Sequence, residues 1–328
     1  MKNILVLLTG GTIACGETEA GLVPVNGESF FAEKLNTLDL KCRFTVKEIM
    51  RIDSSDMGFE QWNEIGRAVY ENAAIYDGII ICHGTDTMAY TSSALSFVVQ
   101  GVGIPVVITG SQRPLEEENS DGRANIIAAA EMAKSGVPGI FAAFDGKIIR
   151  GTNCVKTHTL SDAAFESINC EYAAQYCGGK LILSEGCKAE EKRELKFYPM
   201  TPSKIMVIKL VPDMETDILD YALKMRYNGV IIEGFGLGGI NFKYTDIVEK
   251  IRALTESGIP VVMCSQCLYE KCDFSVYEGG RLALEAGAVD SGNMTKETVY
   301  AKLKYLISLG YGIKEINNCF NSDIITVI

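Results

Sequence analysis

Asn3-Ile4-Leu5-Val6-Leu7-Leu8-Thr9-Gly10-Gly11-Thr12-Ile13-Ala14 begins as an unbroken apolar run and ends on two glycines and a threonine. A short apolar run bounded by glycine is how a strand buried on both faces of a parallel sheet reads. The pattern returns at Gly78-Ile79-Ile80-Ile81-Cys82-His83-Gly84-Thr85-Asp86-Thr87-Met88-Ala89-Tyr90. In open α/β sheets ligands bind at the carboxyl ends of strands. Glycine there lets backbone approach a substrate closely. A threonine hydroxyl beside it becomes a nucleophile once something removes its proton. Two such ends, with Asp86 and a lysine further on, point to an amide or ester hydrolase.

Outward from these segments, apolar runs alternate with helical patterns. The spacing predicts strands at 3–8, 43–49, 77–82, 104–109 and 138–143, with helices near 28–36, 59–73, 86–100 and 121–134. Asp121 precedes the last of these as an N-cap residue. Such alternation means βαβ units and a mostly parallel sheet. Short strands are expected near 147–150 and 180–184. The charged stretch Glu190-Glu191-Lys192-Arg193-Glu194, with Pro199 and Pro202 after it, reads as a linker. Alternation then restarts: strands at 205–210, 229–233 and 260–264, helices near 215–227, 244–256, 279–286 and 295–309. The expected organisation is an α/β domain at 1–189, a linker at 190–202 and a smaller α/β domain at 203–328.

A chain of 328 residues favours about two domains. Hydrophobic residues at 47% supply substantial cores, and the net charge of −11 argues against a broad nucleic-acid surface. No basic run suits an anionic membrane, and no apolar stretch is long enough to span a bilayer. The apolar start is too short for a signal peptide and lacks a small-residue cleavage site, so a first strand is expected. The 11 cysteines are an odd, scattered set, which reads as reduced thiols of a cytoplasmic protein rather than a disulfide framework. Cys264-Ser265-Gln266-Cys267, with Cys272 nearby, lacks the second CxxC or histidine cluster of a zinc site, so no metal is expected.

Other segments admit two readings each. Gly234-Phe235-Gly236-Leu237-Gly238-Gly239 matches GxGxxG, but the following strand ends on Met263-Cys264 without the acid of a dinucleotide site; a tight strand-to-helix turn is the alternative. Only His83 and His158 are available to a histidine-based hydrolase, and GxSxG does not occur. His83 is either a base or a buried group satisfying hydrogen bonds at a strand end. Lysine replaces histidine as a base when partly buried, because burial disfavours the charged form. Lys156, in Arg150-Gly151-Thr152-Asn153-Cys154-Val155-Lys156, is the candidate; the other reading is a surface group. Gly10-Gly11-Thr12 also suits a phosphate cradle, without a P-loop lysine. Asp53-Ser54-Ser55-Asp56-Met57 also suits an ordinary helix start.

Taken together these segments resemble the bacterial-type L-asparaginases, most closely their type I cytoplasmic branch. The resemblance rests on Thr9 to Ala14 and His83 to Met88. Asp53 to Met57, Thr109-Gly110-Ser111-Gln112-Arg113-Pro114, Ser120-Asp121-Gly122, Lys156, Ser265-Gln266-Cys267 and Asn293-Met294-Thr295 support it, in order over nearly the whole chain. It implies a flavodoxin-like mostly parallel sheet in the large N-terminal domain, a smaller C-terminal domain, and subunits paired into homodimers or homotetramers. It implies hydrolysis of L-asparagine to aspartate and ammonia without cofactor or metal. Thr12 would be the primary nucleophile, and Thr85, Asp86 and Lys156 a second linked set. Ser54 would bind the substrate carboxylate, Asp86 its ammonium, with Ser55 beside them and a backbone carbonyl near Ser111 receiving the amide nitrogen. Backbone N–H groups around Gly11 and Gly84-Thr85 would stabilise the oxyanion.

Two departures stand out. The family places an activating tyrosine in the loop after the first motif; here Leu22 holds that position, and no tyrosine precedes Tyr70. Tyr269 or Tyr277, or Glu17 or Glu19, are the candidate replacements. The loop from Cys15 to Asn26 is expected to act as a mobile lid. Some type I members carry an allosteric asparagine site built on an arginine and an asparagine; Glu233, Gly239 and Val155 stand there, so cooperativity is not expected. The competing readings are an asparaginase-like subunit of a tRNA-dependent amidotransferase, which would carry an extra N-terminal domain, and a weakly active asparagine-binding sensor.

Overall fold

A computed structural model describes residues 1–18, 21–24, 27–38, 40–187 and 193–322, with 17–18 and 21–24 as backbone only. The chain divides into two compact units, Met1–Pro199 and Met200–Ile328. Of the expected linker, 190–192 fall outside the described residues, and 193–199 belong to the first unit.

The first unit runs β1 (Lys2–Gly10), β2 (Cys15–Thr18), β3 (Gly21–Pro24), α1 (Glu28–Asn36), β4 (Cys42–Ile52), α2 (Phe59–Asn72), β5 (Gly78–Cys82), α3 (Met88–Val98), β6 (Val99–Gln100) and β7 (Pro105–Thr109). It continues through α4 (Gly122–Lys134), β8 (Gly139–Phe144), β9 (Lys147–Arg150), β10 (Cys154–Lys156), β11 (Phe165–Ser167), β12 (Ala174–Cys177), β13 (Lys180–Leu183) and β14 (Lys196–Phe197). The main sheet has the order β13-β12-β9-β8-β7-β5-β1-β4. Strands β4, β1, β5, β7 and β8 are parallel, and β9, β12 and β13 extend the sheet antiparallel. Counting only those parallel strands gives the flavodoxin-like order 2-1-3-4-5, whose switch point lies between β1 and β5.

Composition explains the placement. β5 and β7 are buried at every residue, as strands covered on both faces require. β4, at the edge, alternates between half-buried and exposed. Phe31 and Leu35 of α1, with Ile126, Ala129 and Met132 of α4, pack over Ile4, Val6, Leu8, Ile80 and Val107. The alternate residues Leu5, Leu7, Ile79 and Ile81 point to the opposite face and are also buried. α2 buries Trp62, Ile65 and Val69 and leaves its charges outward.

The differences from the sequence reading are local. Part of the segment after Thr12 forms the β2–β3 hairpin, pairing Cys15 with Pro24 and Glu17 with Leu22. The helix expected at 86–100 spans Met88–Val98, because Val99 and Gln100 pair with Phe197 and Lys196. Asp121 occupies the N-cap position of α4 without a side-chain cap bond; its carboxylate accepts from the backbone N–H groups of Gln112 and Arg113 and from the side-chain amide of Asn125.

The second unit contains β15 (Ile205–Lys209), α5 (Asp217–Lys224), β16 (Gly229–Gly234), α6 (Ile247–Glu256), β17 (Val261–Ser265), α7 (Glu278–Glu285), β18 (Val289–Asp290), α8 (Lys296–Ser308) and α9 (Ile313–Asn321). Its strands form a parallel sheet in chain order. Val230, Ile232, Val261 and Met263 pack with Leu219 of α5 and Ile251 and Leu254 of α6. The GxGxxG segment closes on itself through paired bonds between Phe235 and Gly239, and α6 begins only at Ile247, so no helix opens on the glycines. All 11 cysteines are free thiols. Among the described residues no histidine, cysteine or acid cluster is placed to hold a metal, and no helix is long and apolar enough to cross a membrane.

Candidate functional site

Backbone contact between glycines brings the strand ends together. A Cβ on Gly11, whose φ is +79°, would lie 2.4 Å from the Cα and N of Gly84. A Cβ on Gly84 would lie 2.5 Å from the Oγ of Ser54. No side chain fits at either position, so the segments after β1, β4 and β5 meet in direct contact at the switch point. Thr9 Oγ1 donates to the Cys82 carbonyl at 2.9 Å, and Thr87 Oγ1 to the Ser54 carbonyl at 2.6 Å, fastening the same three segments. Thr12 begins a 3-10 turn directly after Gly11, and Thr85 directly follows Gly84.

Lys156 reaches this place from β10, which is held by antiparallel pairing of Val155 with Glu166 and Lys156 with Phe165. Its Nζ donates to Thr85 Oγ1 at 2.8 Å and to Asp86 Oδ1 at 2.6 Å. The Lys156 side chain is 18% exposed and that of Asp86 67%. Asp86 therefore keeps most of its carboxylate open to solvent while one oxygen holds the lysine. An ion pair with so exposed a partner contributes about 0–1 kcal/mol to stability, so fold stability alone does not account for it.

The neighbouring polar groups are tied down more firmly. Asp53 accepts from the N–H of Ser55 at 2.8 Å and from its hydroxyl at 2.9 Å, which holds the Asp53 carboxyl below the usual range. The pair caps the 3-10 turn Ser54–Asp56, so this segment starts a short helical turn and also lies against Gly84. Ser54 is buried beside Gly84, whereas the Ser55 hydroxyl is committed to Asp53. Ser111 Oγ donates to the Arg113 carbonyl at 2.5 Å, and Asn125 Nδ2 to the Gly110 carbonyl at 3.0 Å. Burial lowers His83 to a pKa of about 4, so its ring is neutral at pH 7. No acceptor among the described residues meets the backbone N–H of Gly11, Gly84 or Thr85.

Gly11, Gly84 and Ser54 thus meet, as do Thr85, Asp86 and Lys156, with Thr12 adjoining through Gly11. His158 is exposed on the loop after Lys156. Sequence reasoning gave no role to Gln112, whose Oε1 lies 3.3 Å from Thr85 Oγ1 while its Nε2 donates to the Thr159 and Ser161 carbonyls. Nor did it find Thr91, which bonds His83, or Trp62, which bonds Thr91; apolar context hid both. Among the candidate activating groups, Glu19 lies outside the described residues, only the backbone of Glu17 and Leu22 is described, and Tyr269 and Tyr277 belong to the second unit.

Two family models match the chain in order: Asparaginase, N-terminal, over residues 3–187, and Glutaminase/Asparaginase C-terminal domain over residues 204–320. The chain belongs to the asparaginase family. It is 38% identical over 323 residues to the L-asparaginase of Thermococcus kodakarensis, with 98% of each chain covered. A solved structure of the thermostable L-asparaginase from Thermococcus kodakarensis has a TM-score of 0.91 at 37% identity, covering 99% of both chains. A glutamyl-tRNA(Gln) amidotransferase chain of Methanosphaera stadtmanae is 32% identical over 339 residues, covering 98% of this chain and 76% of that protein.

Proposed function

We propose that this chain hydrolyses L-asparagine to L-aspartate and ammonia, with Thr12 as nucleophile. The observation that carries the reading is the Lys156 amine within hydrogen-bond distance of both the Thr85 hydroxyl and the Asp86 carboxylate. Thr12 Oγ attacks the side-chain amide carbon, the proton it gives up is returned to the departing nitrogen so that ammonia leaves, and water then cleaves the aspartyl ester. The N–H groups of Gly11, Gly84 and Thr85, unmet among the described residues, supply donors for the oxyanion of each step. Lys156, when neutral, takes a proton through Thr85, whose hydroxyl is shared between the lysine and Gln112. Asp86 anchors the substrate ammonium through its open oxygen, and Ser54 with nearby amides holds the carboxylate, while Ser55 beside it stays bonded to Asp53. Two charged ends fixed at a set separation hold a small substrate in attack geometry. The backbone carbonyl near Ser111 receives the amide nitrogen. No cofactor or metal enters this chemistry. The same reading makes the chain a cytoplasmic homodimer or homotetramer, with no nucleic-acid or membrane partner.

Ammonia release from L-asparagine, D-asparagine, L-glutamine and N-acetyl-L-asparagine tests the proposal. Free L-asparagine is the expected substrate, with ammonia and aspartate formed in equal amounts and a hyperbolic rate curve, since Glu233 offers a carboxylate where an effector carboxylate would need a cation. Efficient hydrolysis of N-acetyl-asparagine contradicts the anchoring by Asp86. The likeness to the amidotransferase chain favours a second reading, in which this amidase chemistry serves a larger assembly. Turnover of free L-asparagine by the chain alone separates the two.

A further inference from the structure

His83 is wholly buried at the end of β5, immediately before the Gly84–Thr85 peptide. Its Nδ1 lies 2.6 Å from the Gly84 carbonyl oxygen and its Nε2 2.9 Å from Thr91 Oγ1. Trp62 Nε1 lies 3.1 Å from the same Thr91 oxygen. A carbonyl only accepts and an indole N–H only donates, which assigns every proton in the chain. Nδ1 carries the imidazole proton and gives it to Gly84. The ring is neutral, so Nε2 is bare and accepts the Thr91 hydroxyl proton. The Thr91 oxygen in turn accepts from Trp62.

This chain of bonds ends on a peptide that would otherwise rotate easily, because glycine imposes little on its backbone angles. A trans peptide is planar, with C=O and N–H on opposite sides. Holding the Gly84 carbonyl on the imidazole turns the Thr85 N–H away from it, and no acceptor among the described residues meets that N–H. We infer that His83 is a positioning residue: the Trp62–Thr91–His83 chain locks the Gly84–Thr85 peptide so that the Thr85 N–H is presented to the oxyanion of the reaction. The rate role rests on the amide-hydrolase reading; the imidazole itself neither attacks nor accepts the substrate proton.

Two substitutions separate positioning from mere core packing. His83→Leu fills much of the space without a donor, whereas His83→Asn keeps an N–H at the δ position. Losing one oriented oxyanion donor lowers kcat by about a hundredfold or more, so His83→Leu is expected to show that loss with KM little changed. His83→Asn is expected to recover about tenfold or more of it. Equal losses in the two variants, a loss confined to KM, or full activity in His83→Leu each overturn the inference. Thr91→Val leaves the imidazole in place and removes the proton given to Nε2. The ring proton is then free to move to Nε2, and kcat is expected to fall with it. With only two histidines in the chain, 15N NMR of the imidazoles reads this without activity. At pH 7 the wild type is expected to carry a neutral His83 protonated on Nδ1. Ammonia release from asparagine with the proton on Nε2 overturns the positioning role alone. Protonation on Nδ1 with no amide hydrolysed overturns the hydrolase reading and the rate role with it.

Discussion

Thr85→Ala and Lys156→Met are each expected to lower kcat on L-asparagine by at least about a hundredfold, the scale on which a positioned general base acts. The two side chains form one hydrogen-bonded unit, with 2.8 Å between Lys156 Nζ and Thr85 Oγ1. Groups that act as a unit are not additive, so the double variant should be little slower than either single one. Thr85→Ser keeps the hydroxyl and should retain most of the rate. Folding is a minor concern for Lys156→Met, since the lysine's ion partner is largely solvated. Steady-state rates with thermal melting curves check the set. Near-wild-type turnover in either Thr85→Ala or Lys156→Met excludes that residue from catalysis.

Asp86→Asn is expected to reduce kcat/KM for L-asparagine far more than for the same molecule without its α-amino group. A hydrogen bond to a charged group contributes about 1.5–3 kcal/mol, which corresponds to roughly ten- to a hundred-and-fiftyfold in rate. On the proposed reading Asp86 has two tasks, because one oxygen already holds Lys156 at 2.6 Å. A substitution that acted only through Lys156 would slow both substrates alike. The ratio of the two losses isolates the contact with the substrate ammonium. Equal losses on asparagine and on succinamate would remove Asp86 from substrate recognition and leave it as the lysine's partner only.

The parts of this fold that depend on local pattern were legible in the sequence. Ile4 to Leu8 and Ile79 to Cys82 are apolar without interruption because both faces of these strands are covered, and the glycines after them mark where chain segments meet. The non-local parts were not. Val99 and Gln100 leave the helical pattern only because Lys196 and Phe197 pair with them from nearly a hundred residues away. The β2–β3 hairpin lies in a glycine-rich stretch with no period-two signal. α9 carries Ile313, Ile316 and Phe320 at helical spacing and buries the last two, a signal the sequence reading passed over. In the site, the threonine motifs were visible from residue type and position. The approach of Lys156 to Thr85 depends on β10, a strand of Cys154–Lys156 fixed by β11 rather than by its own residues. His83 was ambiguous because its partner Thr91, and Trp62 behind it, sit on helical faces whose apolar neighbours read as ordinary core.

On the proposed reading the two threonines divide the labour, Thr12 attacking and Thr85 relaying the proton, and a covalent intermediate would report that division directly. Wild-type protein mixed with L-asparagine, quenched in acid within the first turnover and digested, should yield an aspartyl ester on the peptide containing Thr12. Lys156→Met should leave less of it or none. An ester on Thr85, or ammonia release at full rate by Thr12→Ala, would contradict the assignment.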